Sequence, residues 1–402
     1  MALIARGTKA QTNLSSNREK FDFAEQIALL EPDAAKFTTL TMRTNKGTTG
    51  ATTHRWLDDE LQPDEVQIDD STTYSAGSVT ITVDDGNAFA AGDLVMVNAS
   101  KEIFLVISIS TDNLTVDRDY GEAGTPGYVA RADSISDDAW LTIIGNAFEQ
   151  GHPLPSIKNF QEVERTNVVQ DLRTPFGVTE IVAATDQYGE NDWPYQMRKK
   201  GVEHLRNLER QNVQGVAVRS DLSLYSSSNT APGTAAGIDF YIREYGDSVR
   251  QISQTEITQT EFLDALQAMF ANGSQNKLLL SSPTLRTAFD FWGISKLNTF
   301  VAGTVFGMKI NRWESSWGTV SIVTEEILRD PGTDGETSYF IDLDNVKIVT
   351  LQGIGQTRLR MLEPYKATGA TIKQAEWNTI SCLEVRSAGT HGYITGVTSY
   401  AA

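Results

Sequence analysis

A single cysteine, Cys382, stands in 402 residues, which excludes an intramolecular disulfide and any cysteine-based zinc site. Histidine is almost as scarce. His54, His152, His204 and His391 make up the whole set, none has a second histidine at ligand spacing, and no His-Glu-x-x-His pattern occurs. They are therefore read as structural, with no metal and no cofactor expected. No window approaches the roughly 18 uninterrupted apolar residues of a membrane-spanning helix. The apolar residues 2–4 are too few for a secretory signal and no small-residue cleavage site follows, so a cytoplasm-like compartment is expected. Positive charge is under-represented: 34 Lys and Arg against 52 Asp and Glu leave a net charge of −18, which argues against a protein built to grip phosphates. There is no Gly-Lys-Ser/Thr phosphate loop and no Gly-x-Ser-x-Gly elbow, and Gly353-Ile354-Gly355 lacks the third glycine of a dinucleotide fingerprint. Nothing assembles into nucleophile, base and orienting acid, so no catalytic residue is assigned and the chain is read as a non-enzyme.

What is present begins with a limb. Residues 1–17 are polar and rich in Ser, Thr and Asn; a short amphipathic segment follows and stops at Pro32. Ser16 and Glu19 stand in capping-box spacing, and Phe23, Ile27 and Leu30 share one helical face, which predicts an isolated helix of about three turns. So short a helix is marginal in water and needs a surface to lie on. With a flexible tether before it, another copy of the chain can supply that surface.

The rest is 40% hydrophobic overall, with room for two or three cored domains. Residues 37–43 lead into the alternating stretch Thr53-His54-Arg55-Trp56-Leu57, the outgoing leg of a β-arm. Residues 71–133 form a compositional unit of short apolar runs between turn clusters such as Asp84-Asp85-Gly86-Asn87, which suggests a small inserted β-barrel or sandwich. Residues 160–182 are extended and are taken as the return leg. Residues 190–218 carry the longest helical signal, with Met197, Leu205, Leu208, Val213 and Val216 as the apolar stripe. Arg198, Lys199, Lys200, Glu203, Arg206 and Glu209 lie at helix-neighbour spacings that predict a salt-bridged face or a contact to an acidic neighbour. Helices are expected at 260–271 and 283–292, a buried strand at 277–280, and strands through most of 304–398. The acidic pairs Asp58/Asp59, Asp69/Asp70, Asp84/Asp85 and Asp137/Asp138, and the turn from Asp330 to Glu336, are read as solvated turns.

This order, polar arm, short helix, β-arm, long charged helix, then mixed α/β closed by strands, resembles the major capsid proteins of tailed bacteriophages, the HK97-like family. Residues Asn13-Leu14-Ser15-Ser16-Asn17-Arg18-Glu19 with Glu31-Pro32, then His54-Arg55-Trp56, are similar to the opening of one group of phage head proteins. Arg165-Thr166-Asn167, the run Arg198 to Leu205, Phe262-Leu263-Asp264-Ala265-Leu266, Leu279-Leu280-Ser281-Ser282-Pro283, Thr368-Gly369-Ala370 and Leu383-Glu384-Val385-Arg386 also resemble it.

The resemblance implies an α+β HK97-like major capsid fold with an inserted small all-β domain. Residues 1–35 would be the N-terminal arm, 36–51 a lead-in, 52–182 the extended loop carrying the insertion at about 71–133, 183–219 the spine helix of the peripheral domain, 220–361 the axial domain with adjoining strands, and 362–402 the return to the peripheral domain. It implies a structural protein of the virion, assembled in the host cytoplasm, that forms hexamers and pentamers around double-stranded DNA without reading its sequence. Portal, scaffold and decoration proteins are the further partners implied, with no membrane. Expected inter-subunit contacts are Phe23, Ile27, Leu30, Trp56, Arg198, Lys199, Lys200, Glu203 and Arg206. Some related shells crosslink an extended-loop lysine to a neighbour's asparagine; Lys101 is the only lysine between Lys46 and Lys158, no acceptor pairs with it, and no crosslink is expected. Two rival readings are an encapsulin-like compartment shell and a β-rich tail or adhesion protein.

Overall fold

The computed structural model describes residues 35–401 apart from 60–61, 70–72, 119, 121–133, 154, 156–160, 186–190, 218–232, 296–299, 306–307, 331–334, 355–357 and 362–370. The chain divides into two compact units, 58–163 and the rest. Together their elements make a mixed α/β protein.

In the larger unit a five-stranded sheet has the order Lys46–Thr49, Val346–Leu351, Ile372–Val385, Gln170–Thr179, with Arg358–Met361 also pairing to Ile372–Val385. The first pair is parallel and the others antiparallel. Residues 170–179, expected as part of the returning β-arm, thus run ten residues in register along Ile372–Val385. A seven-stranded sheet runs Gln251–Ser253, Gly392–Val397, Glu336–Ile341, Asn276–Ser281, Thr319–Thr324, Met308–Glu314, Phe300–Val305. The two strands nearest Trp56, Thr53–Asp58 and Val163–Val168, pair with each other.

Residues 36–44, expected as a lead-in, form a helix, Lys36–Thr44. Its threonines have low helix propensity. Thr39, Thr41 and Thr44 instead return their hydroxyls to the carbonyls of Ala35, Phe37 and Leu40, and Phe37 and Leu40 are buried in a core with Ile238, Tyr241, Ile242 and Leu383. Tertiary packing overrides the local preference. The helix Gln259–Met269 begins on a full capping box, Thr258 and Glu261, and buries Phe262 among Phe289, Trp292, Trp313 and Phe340.

The long helix is Asp192–Gln214, 23 residues or about 35 Å. Asn191 caps it by accepting the Trp193 N–H at 3.0 Å. It ends at Gly215, where a Cβ would fall 2.3 Å from the Gln211 carbonyl and 2.6 Å from that of Ala235, so no larger residue fits this exit. Gly201 lies against the Trp377 ring, whose Nε1 donates to the Met197 carbonyl at 3.0 Å. Leu205, expected in the buried stripe, is exposed, while His204 and Glu209 are buried.

The smaller unit contains one six-stranded sheet, ordered Glu65–Gln67, Trp140–Asn146, Asp93–Val97, Ile103–Ser110, Asn113–Asp117, Thr80–Thr82, all antiparallel. It extends beyond 71–133 on both sides because Val66 and Leu141, from the flanking strands, enter the same core as Ile81, Val95, Phe104 and Leu114. Within that core the Arg118 guanidinium makes two 2.7 Å bonds to the Glu102 carboxylate, both residues buried. The acidic flanks belong to this unit, one carrying the strand Glu65–Gln67 and the other the turn at Asp137-Asp138.

Candidate functional site

The residues expected at contacts between subunits fall into three groups. Phe23, Ile27 and Leu30 lie outside the described residues. Trp56 is 5% exposed, its ring 5.6 Å from Tyr241 and 5.8 Å from His54, inside the larger unit's own core. That corrects its expected role as an inter-subunit contact: alternation put its large ring on one face of the strand, and that face is already covered by the chain itself. Arg198, Lys199, Lys200, Glu203 and Arg206 do come together, within nine residues of the long helix. Arg198 is exposed, the others are half-buried, and Lys200 Nζ pairs with Glu203 at 2.5 Å. A solvent-accessible pair of this kind contributes little to subunit stability.

Glu209 leaves this face and turns inward. It accepts the Phe37 and Thr38 N–H groups at 2.7 Å each, while Asn212 Nδ2 donates to Thr38 Oγ1 at 2.9 Å. Helix Lys36–Thr44, the root of the N-terminal segment, is thereby seated on the long helix. The opposite side is held by His204, whose ring nitrogens meet Thr174 Oγ1 at 2.9 Å and Thr379 Oγ1 at 2.7 Å. Burial pushes its pKa down to about 4, so the ring is neutral near pH 7.

Beside Trp56, the buried Glu384 carboxylate collects His54 Nε2 at 2.8 Å, Arg386 Nε at 2.5 Å and Lys347 Nζ at 3.6 Å. Burial alone would raise its pKa, but these three partners win and hold it below the usual carboxylate range. The cluster ties strand Thr53–Asp58 to the five-stranded sheet. Cys382 is buried and its thiol is pushed up to about 12, so it stays protonated and unreactive. Among the described residues no group of three or more His, Cys, Asp or Glu is placed to hold a metal.

Sequence reasoning missed one surface. In the smaller unit Ile107, Trp140 and Ile144 are 54%, 45% and 50% exposed, on the sheet face opposite the core, with Leu94, Met96, Ile103 and Leu105 in register between them. The signal was present in Ile103-Phe104-Leu105-Val106-Ile107, a run apolar on both faces where a half-solvated strand would alternate. In the larger unit Ile181, Phe291 and Trp317 are also exposed, Phe291 with its ring 5.6 Å from that of Tyr400.

A sequence profile described as the SU10 major capsid protein matches residues 6–398. The chain belongs to that family. Among relatives of this family member, the major capsid protein of Pseudomonas phage PaMx41 is 22% identical over 297 residues, 69% of this chain and 66% of the relative. The match therefore spans just under two thirds of that relative's length. Among solved structures, one of Mycobacterium phage Bobi is 11% identical, covering 96% of this chain and 98% of the other with a TM-score of 0.46. The capsid of Cyanophage P-SCSP1u is 11% identical, covering 98% and 99% with a TM-score of 0.43. The holo-SrpI encapsulin complex of Synechococcus elongatus PCC 7942 is 10% identical, covering 60% and 80% with a TM-score of 0.43. With scores below 0.5 these likenesses leave the assignment to the sequence profile.

Proposed function

We propose that this major capsid protein assembles, as an HK97-like subunit, into hexamers and pentamers that close a shell around the double-stranded DNA of a tailed phage. The observation that carries the reading is the family match, which covers residues 6–398. In this reading residues 1–35 are the arm, the strand pair around Trp56 opens the extended loop, Asp192–Gln214 is the spine helix, and unit 58–163 is a module inserted in the loop that reinforces contacts between capsomers. Heterologous contacts whose rotations close give the rings, and several modest contacts per subunit make the lattice tighter than any one interface. The net charge of −18 suits a wall that encloses a polyanion without adhering to it. Portal, scaffold and decoration proteins are its further partners, and the virion its location.

Electron microscopy of the purified protein tests the class: closed shells are expected, and trimers or fibres would point to a tail or adhesion protein instead. DNA inside particles from infected cells separates a phage capsid from an encapsulin-like compartment with protein cargo. Replacing Phe23, Ile27 and Leu30 together by serine is expected to abolish shells while the subunit keeps its circular dichroism and melting temperature. Normal particles from that variant would remove the arm from the mechanism. Denaturing electrophoresis of shells is expected to show a single subunit band, since Lys101 has no assigned crosslinking acceptor.

A further inference from the structure

Helix Lys36–Thr44 starts on two buried carboxyls brought by distant parts of the chain. Its own N-cap residue, Ala35, has no side chain that can accept a hydrogen bond. Glu209, from the long helix, takes the Phe37 and Thr38 N–H groups at 2.7 Å each. Glu325, just past strand Thr319–Thr324, faces the amides of Lys36 and Ile327. Both carboxyls are shut off from solvent, at 0% and 1% exposure, and Glu325 Oε2 has no hydrogen-bond partner. The cation facing both is Lys36, half-buried, its Nζ donating to the Thr324 carbonyl at 2.7 Å. The other groups packed here, Thr38 and Asn212, are neutral.

The charge count decides the behaviour. With one proton on the pair, Glu209, Glu325 and Lys36 sum to zero. Without it, a net negative charge sits in a dry site, and the helix N-terminus and one lysine must hold two anions. We propose that Glu209 and Glu325 form a proton-held latch on the root of the N-terminal segment: with Glu209 ionised on the Phe37 and Thr38 amides, one proton kept on Glu325 keeps the first helical turn seated on the long helix, and its departure releases residues 36–38. Burial and the neighbouring Glu209 charge push the Glu325 carboxyl up to about 8, and burial raises Glu209 as well. In the released state Glu325 returns toward the ordinary 4.5. The latched form therefore binds more protons between these two values, and the latch weakens as pH rises through that window and levels off above about 8. The consequence for assembly, an arm more easily detached in alkali, rests on the arm reading above; the latch itself is a property of the single subunit.

Hydrogen exchange of the full unassembled chain, followed on peptides covering 36–44 and corrected for intrinsic rates, tests it. Opening of these amides is expected to increase with pH by up to about tenfold per unit and to stop increasing above about pH 8, while peptides from Asn276–Ser281 stay flat. Glu325→Gln is expected to remove the slope. Glu209→Gln, which removes the neighbouring charge, is expected to shrink it. A flat wild-type profile overturns the latch, as does an undiminished slope in either variant; Glu209→Gln carries the decision if Glu325→Gln does not fold. Shell formation plays no part in the readout, so its failure and that of the capsid reading are distinguishable.

Discussion

Neutral histidines sit where a charge has nowhere to go. His204 and His391 are both fully buried, with pKa values pushed down to about 4, in each case chiefly by burial. His391 Nδ1 accepts the Asp342 N–H at 3.0 Å. A histidine whose folded pKa is depressed supports the fold fully above its unfolded value, about 6.5, and loses that support as pH falls toward the folded value. Chemical denaturation between pH 7 and pH 4 is therefore expected to show falling stability, on the order of 3 kcal/mol for each histidine. His204→Asn is expected to flatten part of that slope. Trp56 makes a second prediction at this scale. Because its ring lies in the subunit's own core, Trp56→Ala is expected to cost about 3–5 kcal/mol in urea denaturation of the unassembled chain. A loss of assembly at unchanged subunit stability would restore Trp56 to the contact list.

The elements differ in how much of their cause is local. Helix Gln259–Met269 carries its capping box in the chain itself, Thr258 and Glu261, and the long helix carries Asn191 before it and Gly215 after it. These are legible to anyone who knows what a helix end requires. Gly215→Ala is expected to lower the melting temperature, since its Cβ would meet two carbonyl oxygens at a point where the backbone turns sharply. Helix Lys36–Thr44 is the opposite case. Its threonines argue for a strand, and its first amides are capped by Glu209, more than 170 residues away in sequence. Periodicity reports which side of a segment is apolar, not what will cover it; Glu209 therefore read as part of a charged surface, and Leu205 as core.

At the level of the whole molecule, the division into units decides where the chain can be cut. Removing 71–133 would take four strands of the six-stranded sheet and leave Glu65–Gln67 and Trp140–Asn146 with unpaired edges and bare core side chains. That variant is expected to aggregate. Excising 60–161 removes the unit intact and is expected to give a soluble subunit with the larger unit's fold, checked by circular dichroism and size-exclusion chromatography. If such subunits form shells as resistant to heat as the full-length ones, the unit does not reinforce the lattice. The order of parts along the chain was readable because each part has a local signature: a polar limb without apolar mass, a long run at helical period, short runs between turn residues. Composition and single residues excluded disulfide, membrane helix and nucleotide loop for the same reason, since those chemistries need specific residues at close spacing. Only the tertiary structure decided that Trp56 faces its own core, that residues 170–179 lie along Ile372–Val385, and that Glu209 and Glu325 meet at the start of one helix. Those are contacts between segments far apart in sequence, selected by burial and by the need of buried amides for acceptors, and no local pattern records them.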